Sequence, residues 1–253
     1  MTELSEQEHG QGHDARTAEL ARRLAAVRSR IAAAAETAGR GDQLPALIVV
    51  TKFHPAEDIR RLAALGVRDM GENRDQEAAA KALELADLAL TWHFVGQLQT
   101  KKAKSVARYA SAVHSVDRAQ LVDALAKAVR NEMEAGGRAP LDCFIQVNLE
   151  DQAEDAGTNR GGAAPADVPL LAERIAGSEG LNLAGVMAVA PLGAPPEPAF
   201  EKLAGISARL AAAYPSATAI SAGMSQDLEA AIKFGATHLR IGSDILGSRP
   251  AVG

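Results

Sequence analysis

Lys52 ends an apolar run, Ala46-Leu47-Ile48-Val49-Val50-Thr51, that reads as a buried strand. An ammonium at the end of such a strand loses hydration, which disfavours its charged form and lowers its pKa. Lys52 is therefore a candidate amine nucleophile. His54, two residues on, could tune it, although a surface loop residue is the simpler account.

Two further stretches carry Gly beside hydroxyls: Ser221-Ala222-Gly223-Met224-Ser225-Gln226-Asp227 and Gly242-Ser243-Asp244. Glycine lets backbone approach a ligand closely, and hydroxyls donate hydrogen bonds. Taken singly, Ser225 reads as a helix N-cap and Gly242-Ser243 as a turn. Their joint placement after the last two strand-like runs instead points to a phosphate site, because barrels of strand–helix units commonly build one there. Arg240 stands near the end of the eighth run and stays charged at ordinary pH, so it needs a partner. A salt bridge to an acidic side chain is the plain alternative to a ligand. Asn73, in Gly71-Glu72-Asn73-Arg74, reads from spacing only as an N-cap.

The elements that must position these residues alternate regularly. Strands are expected near Ala46 to Thr51, Val67 to Gly71, Thr91 to Val95, Ala112 to Val116, Leu141 to Asn148, Leu183 to Ala190, Ala217 to Ser221 and His238 to Ile241. Helical segments separate them, and several strands are nearly continuous in apolar residues, as in sheets covered on both faces. Eight such units with right-handed crossovers predict a single (β/α)8 barrel of the TIM type. An open doubly wound sheet is the alternative. Its G-x-G-x-x-G fingerprint is missing, since Lys52-Phe53-His54-Pro55 follows the first strand. An extra helix precedes the barrel, with Leu20, Leu24, Val27, Ile31 and Ala34 on one face between Thr17 and Thr37. Residues 1–14 are expected to be a disordered tail and 15–253 one barrel domain. The polar, Gly-rich stretch 150–162 is expected to be a long loop after the fifth strand, a solvated insertion or a lid.

Composition narrows the function. With 27 Lys+Arg against 32 Asp+Glu the net charge is -5, which argues against non-specific nucleic-acid binding. The single cysteine, Cys143, cannot form an internal disulfide and reads as a packed strand residue. The opening residues lack a secretory signal, and no run reaches the about 18 apolar residues of a membrane span. A cytoplasmic protein is expected. The histidines look scattered: His9 and His13 lie in the tail, whereas His93, His114 and His238 fall on different strands without a recognisable metal-ligand pattern.

Taken together, Val50-Thr51-Lys52, Gly71-Glu72-Asn73, His93-Phe94-Val95-Gly96-Gln97-Leu98-Gln99, Gly223-Met224-Ser225-Gln226-Asp227 and Arg240-Ile241-Gly242-Ser243 resemble the pyridoxal phosphate homeostasis protein family. The resemblance spans about Leu20 to Pro250. It implies a barrel like the N-terminal domain of alanine racemase, with pyridoxal 5'-phosphate held as a Schiff base on Lys52. It further implies that Ser225, Gly242 and Ser243 hold the phosphate, Arg240 faces the pyridine nitrogen and Asn73 lines the ring. The chain departs from the family at Thr100-Lys101-Lys102, at Ala222 and in the length of the fifth loop.

An arginine facing the pyridine nitrogen cannot readily protonate it, so the cofactor is a weaker electron sink. Related racemases bring a tyrosine from a second domain opposite the lysine, and none is expected here. Tyr109 and Tyr214 are placed by the coarse reading near helix ends, towards the far face of the barrel. The expected function is storage, buffering or delivery of pyridoxal phosphate by a monomer, with cofactor-dependent apo-enzymes as possible partners and no reaction of its own. A minimal amino-acid racemase is the enzyme alternative, and an aldolase-type enzyme acting on a phosphosugar is a more remote one.

Overall fold

The structure is a computed structural model that describes residues 3–150 and 161–248, with side chains from residue 15 onward. Eight parallel strands close into a barrel in chain order: β1 (Ala46–Val50), β2 (Asp69–Glu72), β3 (Thr91–Phe94), β4 (Ala112–Val116), β5 (Leu141–Gln146), β6 (Leu181–Met187), β7 (Ala219–Ser221) and β8 (His238–Ile241). The helices are α1 (Glu3–Thr37), α2 (Ala56–Ala64), α3 (Asp75–Glu84), α4 (Ala103–Val106), α5 (Ala119–Glu134), α6 (Val168–Ala176), α7 (Glu197–Ala213), α8 (Leu228–Lys233) and α9 (Ser243–Leu246). The predicted closed barrel with an additional leading helix is the observed architecture. That helix starts at Glu3, inside the stretch expected to be a tail. The predicted insertion at 150–162 falls mostly outside the described residues.

Strand residues alternate between two environments, as the two-residue period of a strand requires. Val49, Met70, Trp92, Val113, Cys143, Val186, Ile220 and Leu239 point outward into the main apolar core, where they meet the inner faces of the helices. On α5 that face is Leu121, Val122, Leu125, Ala126, Ala128 and Val129, recurring at helical spacing. The stripe Leu20, Leu24, Val27, Ile31 and Ala35 seats α1 in the same core, against α8 and α9.

The barrel interior differs. Its small apolar cluster is Ala112, Phe144 and Met187, and around it lie buried polar side chains: His93, His114, Ser221 and Arg240. His114 stacks on Phe144 with ring centroids 4.1 Å apart, and His238 meets the same ring edge-on at 5.3 Å. Small residues make room for these side chains. A Cβ at Gly185 would come within 1.9 Å of the Ala219 carbonyl oxygen, so β6 and β7 approach where no side chain fits.

Pairing of β1 between β2 and β8 puts Val49 beside Met70 and Ile48 beside Arg240. The loops that follow these three strands therefore meet at the carboxyl-terminal mouth.

Candidate functional site

A cavity of about 710 Å³ opens at that mouth, and Lys52, Asn73, Ser225, Arg240, Gly242 and Ser243 all line it. The structure thus brings together every residue that the sequence singled out for a site, from loops after β1, β2, β7 and β8 and from β8 itself.

Lys52 is half-buried at the turn that leaves β1. The next residue, Phe53, has φ +67°, the one left-handed non-glycine backbone among the described residues. Such a conformation is costly for a bulky side chain and persists only where its surroundings hold it. Here they do: Phe53 N–H donates to Glu77 Oε1 at 2.6 Å, and the Arg74 guanidinium lies 4.8 Å from the Phe53 ring centroid. Beneath the turn, Lys81 Nζ donates to the Thr51 carbonyl at 2.9 Å and to Glu72 Oε1 and Glu77 Oε1, each at 2.7 Å. Thr51 Oγ1 also donates to Glu72 Oε1, at 2.7 Å. Burial raises the pKa of Glu72, opposed by the attraction of Lys81. One buried knot of charge therefore fixes the backbone on both sides of Lys52.

Asn73 does not cap a helix. The N-cap of α3 is Arg74, without a side-chain cap bond, and Asn73 Oδ1 is a buried acceptor without a hydrogen-bond partner. A buried orphan acceptor in a cavity wall fits a ligand donor or water. Gly96 permits this wall, since a Cβ there would lie 2.3 Å from the Asn73 carbonyl oxygen.

Arg240 is 5% exposed, and among the described residues it forms no ion pair, Asp227 attracting it only at longer range. Its Nη1 donates to Ser221 Oγ at 2.7 Å and its Nη2 to the Ala188 carbonyl at 2.9 Å. The acidic salt bridge considered from sequence is not formed. Burial pushes the guanidinium pKa down to about 10, so it remains a cation at neutral pH.

The two hydroxyl loops converge, with Ser225 Oγ 3.3 Å from Ser243 Oγ. Ser225 is not an N-cap either. That position belongs to Asp227, whose Oδ1 accepts from Met224 N–H at 2.6 Å and turns the chain before α8. Gly223 has φ +94°, and any side chain there would strike Ala231 and Leu239. Arg30 of α1 reaches both loops: its Nη2 donates to the Ser225 carbonyl at 3.1 Å and its Nη1 to Asp244 Oδ2 at 2.8 Å.

Several sequence expectations are corrected. His54 is no surface residue: it is 6% exposed, lines the cavity, and its Nδ1 lacks a hydrogen-bond partner, the nearest Asp58 oxygen lying 3.9 Å away. Burial lowers its pKa. His93, His114 and His238 are gathered inside the barrel, although among the described residues no group of three His, Cys, Asp or Glu could hold a metal ion. Tyr214 lines a separate cavity at the opposite mouth, as expected, but Tyr109 is mostly buried, its hydroxyl 3.5 Å from Asp75 Oδ1 at the start of α3. Neither tyrosine lines the Lys52 cavity. Sequence reasoning missed Arg30 and the Glu72–Lys81–Glu77 knot. The i,i+4 spacing of Glu77 and Lys81 was the available signal for the latter. Cys143 is a buried strand residue, as read.

Fold and site together define the class, a (β/α)8 barrel of the alanine racemase N-terminal domain type. The family described as "Alanine racemase, N-terminal domain" matches residues 23–250. The chain is 44% identical over 226 residues to the pyridoxal phosphate homeostasis protein of Corynebacterium glutamicum, covering 88% of this chain and 99% of that one. It is 42% identical over 245 residues to the protein of the same name from Mycobacterium tuberculosis, covering 92% and 94%. Among solved structures it is similar to PipY of Synechococcus elongatus PCC7942 with pyridoxal phosphate bound, at 33% identity and TM-score 0.74, covering 90% of this chain and 100% of that one. The chain belongs to the pyridoxal phosphate homeostasis protein family. Alanine racemase from Corynebacterium glutamicum, 14% identical with TM-score 0.61, shares the fold.

Proposed function

We propose that this protein binds pyridoxal 5'-phosphate reversibly and acts in its homeostasis, as a store, buffer or donor of the cofactor. The observation that carries this reading is a buried cation, Arg240, that forms no ion pair among the described residues, in the same cavity as an amine, Lys52, and a pair of converging hydroxyls, Ser225 and Ser243. The residues fit a flat heteroaromatic aldehyde bearing a phosphate. Lys52 would hold the cofactor through its aldehyde, the amine being the nucleophile that the cavity offers. Ser225, Ser243 and the backbone at Gly242 hold the phosphate. Arg240 would offer an N–H to the pyridine nitrogen, and Asn73, whose Oδ1 lacks a partner in the cavity wall, would line the ring. When bound, the cofactor supplies an electron sink, which Arg240 keeps weak because a guanidinium does not give up its proton to the ring. The names of the relatives and the PipY structure with pyridoxal phosphate support the cofactor assignment.

Titration with pyridoxal phosphate tests the reading. An absorption band near the visible edge, present in the native protein and lost in Lys52→Ala, supports it. An unchanged band in the variant refutes it.

His54 favours a second reading, a minimal amino-acid racemase, because it is a neutral base lining the Lys52 cavity. Lys52-dependent exchange of solvent deuterium into amino-acid α-carbons would establish that reaction, and its absence leaves the carrier. Among the described residues no helix is long and apolar enough to cross a membrane. We place the protein in the cytoplasm as a monomer, with pyridoxal-phosphate-dependent apo-enzymes as recipients.

A further inference from the structure

The polar side chains inside the barrel form one continuous line. Arg240 Nη1 donates to Ser221 Oγ at 2.7 Å, Ser221 Oγ lies 2.8 Å from His114 Nδ1, His114 Nε2 lies 3.0 Å from His93 Nδ1, and His93 Nε2 lies 3.1 Å from Asp69 Oδ1. The line begins beside Lys52 and ends on the first residue of β2, at the amino-terminal mouth.

Its direction is fixed by chemistry. A guanidinium can only donate, so Ser221 Oγ accepts from Arg240. Ser221 is fully buried, and among the described residues the other hydrogen-bond partner of its hydroxyl is His114 Nδ1. A buried hydroxyl proton without an acceptor is costly. The hydroxyl therefore donates to Nδ1, and His114 is the Nε2–H tautomer. That N–H can be received only by an unprotonated His93 Nδ1, which leaves His93 Nε2–H to donate to Asp69. Every bond points from the buried cation to the distant carboxylate.

We infer that Ser221, His114, His93 and Asp69 are positioning residues that hold Arg240 in place for the bound cofactor through a one-way hydrogen-bond chain. None of the four lines the Lys52 cavity. The inference rests on the proposed pyridoxal phosphate reading, and it adds a role for the barrel core in setting that site. The chain also helps to hold an arginine that forms no ion pair among the described residues: its four polarised bonds reinforce one another at low dielectric, beside the longer-range attraction of Asp227. The groups facing His114 agree with a neutral ring. They are His93 on β3, Phe144 on β5, Ser221 on β7 and Arg240 and His238 on β8, with no carboxylate among them. Burial, with His93, Arg240 and His238 nearby, pushes its pKa well below the ordinary value.

Two measurements test this. In the first, ¹⁵N spectra of the histidine-labelled protein without cofactor read the tautomers directly. An unprotonated Nδ1 and a protonated Nε2 on both His114 and His93 are expected, and a protonated Nδ1 on His114 overturns the chain. In the second, variants are titrated with pyridoxal phosphate. Ser221→Ala and His114→Leu are expected to bind roughly ten-fold more weakly, the scale of one lost bond to a charged group. His114→Gln, whose amide can accept from Ser221 and donate to His93, is expected within about two-fold of the native protein. Should His114→Leu fail to fold, Asp69→Asn at the half-exposed end keeps an acceptor but removes the charge. It is expected to shift the pH midpoint of the cofactor band. Equal affinities and midpoints in all variants refute the positioning role. Failure of the native protein to bind the cofactor at all sinks the functional reading instead, while the tautomers still decide whether the chain exists.

Discussion

At the scale of single residues, the site pairs one amine with one cation, and each has its own test. Arg240 makes bonds to Ser221 and Ala188 that a planar fork can satisfy together. Arg240→Lys retains the charge without the fork and is expected to weaken pyridoxal phosphate binding by about ten-fold in an absorbance titration. Lys52, Arg240 and the two hydroxyl loops were legible in the sequence because barrel chemistry sits at strand ends, where residue type and spacing can be read directly. Asn73 was legible only through family resemblance. Its free carboxamide oxygen depends on α3 starting one residue later than the spacing suggested, with Arg74 at the N-cap. His54 was misread because nothing in the local sequence shows that the cavity wall closes over it.

At the scale of elements, α1 is more than an apolar lid. Through Arg30 it fastens the loop before α8 to the loop at the start of α9, across one guanidinium. Arg30→Ala is expected to lower cofactor affinity by a few-fold while leaving the melting temperature within a few degrees, because the bonds are partly exposed. Loss of stability without loss of affinity would contradict this bracing role. The apolar stripe of α1 was plain in the sequence, whereas Arg30 looked like one more solvated charge. Its partners are some two hundred residues away in the chain. Element identities were readable from periodicity, but the start of the helix after β7 was not: its N-cap is Asp227 rather than Ser225, since the Asp227 carboxylate accepts from Met224 N–H and leaves Ser225 lining the cavity. The close passage of β6 and β7 was equally hidden. Gly185→Ala is expected to destabilise the fold by about 3 kcal/mol or more, read by denaturant unfolding, because its Cβ would overlap the Ala219 carbonyl.

At the scale of the whole molecule, closure of the barrel turns scattered residues into a core. His93, His114 and His238 lie on β3, β4 and β8, and only a closed sheet makes their inward positions neighbours. This is why a one-dimensional reading saw no constellation. The buried histidines give stability a pH dependence. Burial, with His93 nearby, lowers His238 to about 4, and His114 falls well below 6.5. The unfolded chain takes up protons at these positions below about pH 6.5 while the folded chain does not, so the stabilisation is present above that pH and is lost as pH falls towards 4. For His238 the slope is on the order of 1 kcal/mol per pH unit in that window, and His114 adds to it in the same direction. Urea unfolding of the native protein is expected to show a fall in stability between pH 6.5 and 4.5 that is shallower in His238→Asn, and equal slopes would contradict it. The central claim is that one amine at this mouth captures the aldehyde of pyridoxal phosphate. Borohydride reduction of the loaded protein followed by peptide mapping tests it most directly. The account predicts a single phosphopyridoxyl group on the peptide that carries Lys52. A label on any other lysine, or none, would contradict it.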